Sequence, residues 1–171
     1  DGRSSGTVGE SKKLEGISIR LSSGIDGTVQ YKTYTENDGW EAWSENGEIN
    51  GEPDGTRRLE AIQIRLTGEA AEKYDIYYRV HCQDDGWLGW AKNGEKAGSE
   101  GYSRRMEAIE IRLVAKGQSL SGGEKTSFAV NLNSKLIYYR TYVEKQGWTN
   151  CVTDGRSSGT VGESKKLEGI S

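Results

Sequence analysis

Three stretches of the chain align with one another without a gap, and this repetition limits the fold more than any other feature. They read "VQYKTYTENDGWEAWSENGEINGEPDGTRRLEAIQIRL", "IYYRVHCQDDGWLGWAKNGEKAGSEGYSRRMEAIEIRL" and "IYYRTYVEKQGWTNCVTDGRSSGTVGESKKLEGIS". Trp40, Trp87 and Trp148 fall in register, as do Leu59, Met106 and Leu167. Repeat 1 spans residues 22–66, repeat 2 spans 67–113 and repeat 3 spans 114–171. The third is lengthened by a polar insertion, "VAKGQSLSGGEKTSFAVNLNSK". Residues 1–18 recur unchanged at 154–171, so residues 1–21 read as the tail of a repeat that also carries "IRL". That makes 1–21 a candidate closing strand for the third repeat, within the chain or in the next one.

Each repeat reads as strands. In the Tyr-rich segments Val29, Tyr31, Thr33 and Thr35 share one face, matched by Ile76, Tyr78, Val80 and Cys82, then by Ile137, Tyr139, Thr141 and Val143. The opposite face carries Gln30, Lys32 and Tyr34, then Tyr77, Arg79 and His81, then Tyr138, Arg140 and Tyr142. The Ile segments alternate likewise, with Ile17, Ile19 and Leu21 on one side and Ser18 and Arg20 on the other. No window sustains a helical period, so the chain is all-β. One repeat has too little apolar surface to fold alone, and three must share a core. A pseudo-threefold closed architecture follows, which also removes sheet edges. The long alternating strands favour a β-prism, with a β-trefoil as the alternative.

Composition narrows the function. Gly is high at 24 and Pro low at 1, while nine Tyr and five Trp accompany a single Phe. Abundant Gly and Tyr suit short strands joined by tight turns. A formal charge of -3 gives no electrostatic case for nucleic acid. No apolar run is long enough to span a membrane. Lacking an initiator Met and a signal sequence, the chain reads as a mature or excised segment.

The elements "GWEAWSENGEINGEPDGTRRLEAIQIRL" and "GWLGWAKNGEKAGSEGYSRRMEAIEIRL" resemble the ChW family, the clostridial hydrophobic repeat with a characteristic tryptophan. The resemblance covers all three repeats: Gly-Trp, a second Trp three residues on, Asn-Gly, spaced glycines and "EAIxIRL" recur together. The third repeat departs from it, with Cys151 at the second Trp and "TDG" in place of "NG". The resemblance implies non-catalytic modules of secreted or surface proteins of Gram-positive anaerobes. It implies attachment or recognition, with a cell-wall or extracellular polysaccharide or a surface protein as partner.

The first Trp, at Trp40, Trp87 and Trp148, persists in every repeat, as a shared core position would. Residues three apart in a strand face opposite ways, so the second Trp, at Trp43 and Trp90, is predicted outward unless a bulge intervenes. An exposed indole can stack on a sugar ring or an Arg; packing beneath the Gly-rich loop is the alternative. The aligned Lys32, Arg79 and Arg140, flanked by Tyr34, His81 and Tyr142, form a second candidate surface, or a solvated outer face. Glu15 with Arg20, Glu60 with Arg65 and Glu107 with Arg112 read as ion pairs. Cys82 and Cys151 can form a disulfide or remain two buried thiols. Nothing resembles a nucleophile elbow, a phosphate loop or a metal-ligand cluster, so no cofactor and no catalysis are expected. The acidic turns "ENDGW" and "DDGW" suit calcium weakly, and "KQGW" in the third repeat argues against it. The unchanged terminal duplication supports a second reading, one tile of a fibre or surface array that self-associates head-to-tail.

Overall fold

In the Tyr segments buried and outward residues alternate, as a period of two dictates, except that Asp75 and Tyr77, on the outer face of the second, are buried as well. The computed structural model describes residues 2–36, 38–53, 55–120, 126–130, 138–139, 141–148, 152–153, 158 and 166–170. They fall into two units, 1–130 and 131–171. In the first, the strand Thr28–Thr35 buries Val29, Tyr31, Thr33 and Thr35 and turns Gln30, Lys32 and Tyr34 outward. The strand Tyr74–Cys82 buries Ile76, Tyr78, Val80 and Cys82, leaving Arg79 and His81 on the outer face. Each Tyr strand pairs antiparallel with the Ile strand of its own repeat, Leu59–Thr67 or Met106–Ala115. The register is shared: Tyr31 lies opposite Ile64, and Tyr78 opposite Ile111.

These inward faces make the core. Val29, Tyr31, Leu59, Ile62 and Ile64 of repeat 1 pack with Ile76, Tyr78, Val80, Cys82 and Met106 of repeat 2. Tyr31 and Tyr78 are fully buried, and each donates its hydroxyl to a main-chain carbonyl of its own repeat, Glu48 or Glu95. A buried phenol needs such a partner, because an unpaired hydroxyl costs about 1–3 kcal/mol. Burial pushes the Tyr78 phenol well above its ordinary range.

The Gly-rich loops connect the repeats in a fixed succession. Lys96–Gly98 of repeat 2 pairs with Gln63–Ala61 in the Ile strand of repeat 1. Asn50–Gly51 of repeat 1 pairs with Ile17–Gly16 of the N-terminal copy. Ser4–Gly6 of that copy pairs with Glu110–Ala108 in the Ile strand of repeat 2. The N–H groups of Gly94, Gly47 and Gly2 donate to the carbonyls of Ile64, Ile19 and Ile111 at 2.7, 2.8 and 2.9 Å. These are equivalent atoms in each case. Gly6, Gly51 and Gly98 sit at φ 108, 97 and 116°, and a Cβ there would lie under 3.0 Å from the carbonyls of Glu107, Glu15 and Glu60. Only glycine fits so close a backbone approach.

Residues 1–21 are thus built into repeats 1 and 2 within unit 1. In unit 2 the Tyr strand of repeat 3, Thr141–Val143, pairs with Leu167–Ile170 of the C-terminal copy and with Gly147–Trp148. It keeps the alternation, with Thr141 and Val143 buried and Tyr142 exposed. The described strands form open sheets, and none closes on itself. Two local elements escape the sequence pattern. Glu69–Lys73 forms a single helical turn, too short to show a period. Phe128–Val130, inside the insertion read as a polar loop, is an edge strand running parallel to Gly98–Glu100.

Under the Tyr strand of repeat 1 lies a polar trio, with Thr33 and Asn50 buried and Ser44 half-buried. The side-chain carbonyl of Asn50 accepts from the Thr33 main-chain N–H at 2.7 Å and from the Thr33 hydroxyl at 2.6 Å, while its amide donates to Ser44 Oγ at 3.0 Å. Repeat 2 has Val80, Ala91 and Ala97 at these three places, all fully buried. Repeat 3 returns to polar residues at two of the three places, where the Thr141 and Ser158 hydroxyls lie 3.1 Å apart. The Thr33 and Asn50 positions change together because half a buried network is worse than none, while the Ser44 position is Val152 in repeat 3. Asn50→Ala alone is expected to destabilise unit 1 by about 1–3 kcal/mol. Adding Thr33→Val and Ser44→Ala, which recreates the repeat 2 set, should recover part of that loss in urea denaturation.

Candidate functional site

The outer face of each Tyr strand is completed by a short Trp strand. Trp40 lies directly opposite Tyr34, Trp87 opposite His81, and Trp148 opposite Tyr142. Directly opposed residues in an antiparallel pair share a face, so an outward Tyr34 forces an outward Trp40. The rings meet edge to face, with centroids 5.6, 5.5 and 5.5 Å apart. The first Trp, expected at a core position, therefore stands on the outer face. Trp40 and Trp87 are half-buried there, and Trp148 is 45% exposed.

The second Trp joins the first. The chain leaves the ladder after Trp40 and re-pairs at Ser44–Glu45, with Ser44 opposite Tyr31. This break overrides the alternation that would send Trp43 to the other face. The Lys32 ammonium lies 5.2 Å from the Trp40 ring centre and 5.0 Å from that of Trp43. In repeat 2 the Arg79 guanidinium lies 4.9 Å from Trp87 and 4.8 Å from Trp90. One strand cation between two indoles is the recurring motif, and each such contact contributes about 0.5–2 kcal/mol.

Three further cations complete the sites. The Arg65 guanidinium stacks 4.1 Å from Trp43, Arg112 lies 5.2 Å from Trp90, and Lys96 lies 5.3 Å from Trp40. Sequence reasoning assigned Arg65 and Arg112 to ion pairs with Glu60 and Glu107. The structure pairs those buried carboxylates with Arg58 and Arg105, both at 2.9 Å, and Glu15 with Lys13, also at 2.9 Å. Residues two apart share a strand face whereas residues five apart do not, and that spacing was the available signal. Burial raises the Glu60 carboxyl above its ordinary value, against the opposing pull of Arg58. Lys96 could not be found by in-repeat alignment, since it reaches Trp40 from the loop strand of the next repeat.

The two sites differ in charge. Arg79 is neutralised by Glu110 at 2.9 Å, and His81 Nδ1 lies 3.2 Å from Glu107. Among the described residues, neither Lys32 nor Arg65 has a carboxylate within ion-pair distance. Burial, then the charges of Lys96 and Arg65, lower the Lys32 pKa. Repeat 1 therefore presents a cationic, aromatic surface of Lys32, Arg65, Lys96, Trp40, Trp43 and Tyr34, in which Lys96 alone is paired, with Glu100 at 3.6 Å. Arg140 and Cys151 lie outside the described residues. Cys82 is buried, its thiol pushed up to about 12, chiefly by burial. The acidic turns serve the fold: Asp38 binds Arg57 and Asp85 binds Arg104.

A family model described as Clostridial hydrophobic W matches residues 34–68, 81–115 and 142–171, more than half of the chain. Each match opens at or beside the Tyr or His that meets the first Trp. No curated protein and no solved structure matches the chain. No helix among the described residues is long and apolar enough to cross a membrane.

Lys32 is expected to titrate below an ordinary lysine in side-chain NMR. Arg65→Gln, by removing a neighbouring cation, should move it back upward. An anionic ligand favours the protonated amine, so affinity for it should fall as pH rises through the Lys32 pKa.

Proposed function

Since the chain belongs to the ChW (Clostridial hydrophobic W) family, we propose that it is a non-catalytic recognition module that attaches its parent protein to extracellular or cell-wall polymer, preferentially an anionic polysaccharide. The carrying observation is the pair of indoles about a cation in repeats 1 and 2, with Lys32 and Arg65 of the repeat 1 site lacking an ion-pair carboxylate among the described residues. Indole faces suit the apolar side of a sugar ring, while Lys32, Arg65 and Lys96 suit carboxylate or phosphate groups along it. ChW repeats are typical of extracellular proteins, which is where such a polymer is met. The cationic surface is local on a chain of formal charge -3, so it favours a defined partner over general polyanion binding. Closure of complete repeats into a pseudo-threefold body, a β-prism in preference to a β-trefoil, is part of this reading. Its support is the passing of equivalent pairs among repeat 1, repeat 2 and the N-terminal copy.

A second reading, a structural tile of a tandem array, is favoured by the use of a Gly–Ile segment outside repeats 1 and 2 to complete their pairing. For the first reading, a glycan array and a cell-wall pull-down should show binding that weakens with salt. Trp43→Ala or Lys32→Gln is expected to reduce it ~10-fold or more, and Trp90→Ala less. Absence of binding by the native protein to any surface polymer would sink that reading.

A further inference from the structure

The Ile strands of repeats 1 and 2 are each covered along one side by a Tyr strand, with Leu66 opposite Val29 and Leu113 opposite Ile76. The N-terminal copy contributes a third Ile segment, Leu14 to Leu21, to the same succession of pairs. Its own ladder stops at Ile17, and no Tyr strand among the described residues of 1–130 pairs with it. Leu14, Ile17, Ile19 and Leu21 stay half-buried, whereas Leu59, Ile62 and Ile64 at the equivalent places are fully buried. Beside them opens a cavity of about 400 Å³, lined among others by Ile19, Leu21, Val29, Ile76, Ile111 and Leu113. All six are Tyr-strand or Ile-strand core positions. Among the described residues the lining holds no third counterpart of Val29 and Ile76, which in the sequence is Ile137.

We propose that this cavity is a vacant strand slot, filled by the repeat 3 Tyr strand, residues 137–143, of a second copy of the chain. The proposal rests on the tile reading and names the surface through which it operates. Register supports it. In unit 2 Thr141 lies opposite Ile170 and Val143 opposite Leu167. Because residues 154–171 repeat 1–18, those two partners recur as Ile17 and Leu14. The same strand therefore fits the N-terminal copy unchanged, bringing Tyr139 opposite Ile19 and Ile137 opposite Leu21, as Tyr31 and Val29 lie opposite Ile64 and Leu66. Polar groups agree as well. Ser5 is exposed and equivalent to Ser158, the neighbour of the Thr141 hydroxyl. Lys13 holds the place of Arg58 and Arg105, which bind Glu36 and Gln83, and the corresponding residue of repeat 3 is Glu144.

The sequence holds three Tyr strands against four Gly–Ile segments, so one such segment is always in surplus. Within its own chain the repeat 3 strand is engaged by the C-terminal copy. Exchange between identical segments of two chains is domain swapping, and handing the strand on from copy to copy gives an open, head-to-tail assembly. The slot offers the strand a core shared with two other repeats, so burial of apolar surface favours docking there.

Sedimentation velocity on the full chain over a wide concentration range tests this, with hydrogen exchange at Ser18–Leu21 as a second readout. The expected result is concentration-dependent association that protects those amides. Ile19→Glu, with folding checked by circular dichroism, should weaken association ~10-fold or more. A synthetic peptide of residues 137–146 added to the unmodified chain should compete with association, which keeps the test valid if the variant misfolds. Association indifferent to both Ile19→Glu and the peptide overturns the slot and leaves the tile reading standing. A chain that stays monomeric at every concentration overturns both, and protection of Ser18–Leu21 in such a monomer shows that the occupant comes from the same chain.

Discussion

Three equivalent main-chain hydrogen bonds hold unit 1 together: Gly2 to Ile111, Gly47 to Ile19, and Gly94 to Ile64. Each ties the Gly-rich loop of one motif to the Ile strand of another. No repeat has to fold alone, because its Gly-rich loop reaches its pairing partner only in a neighbour. The close approach that this demands is why Gly6, Gly51 and Gly98 carry no side chain. It also accounts for the use of residues 1–21, which supply both a loop strand for repeat 2 and an Ile strand for repeat 1.

The candidate site depends on the same link. Lys96 belongs to the loop strand of repeat 2, and its pairing with the Ile strand of repeat 1 carries its ammonium over Trp40. A cationic surface is thereby assembled from two repeats, on strands whose inward faces are locked by Tyr31 and Tyr78. Rigid strands suit a recognition surface, since little ordering remains to be done on binding. Repeat 2 shows what the local charge decides: the same indole pair surrounds Arg79, yet Glu110 already satisfies it.

Much of the fold was legible in the sequence. The alternation of Val29, Tyr31, Thr33 and Thr35 identified the buried face residue by residue, because a strand leaves only two directions for a side chain. The placement of Trp40 was less accessible. Its persistence in all repeats fits a core position, yet persistence fits equally an outer ring held against Tyr34, and only strand register separates the two. Trp43 shared that difficulty, since a break in the ladder cancelled the rule of alternation. Arg65 and Glu60 illustrate a misreading that spacing alone corrects: five residues apart along a strand, they face opposite ways.

The sequence by itself determined the repeat, the all-β class, the inward and outward faces, and the family to which the chain belongs. These follow from local periodicity, which needs no knowledge of the partner strand. Only the tertiary structure decided which Ile strand each Gly loop pairs with, how Lys96 reaches a neighbouring repeat, and where the duplicated segment is used. The two copies of that segment are identical, so their different roles arise from which strands surround them, and sequence cannot distinguish identical residues.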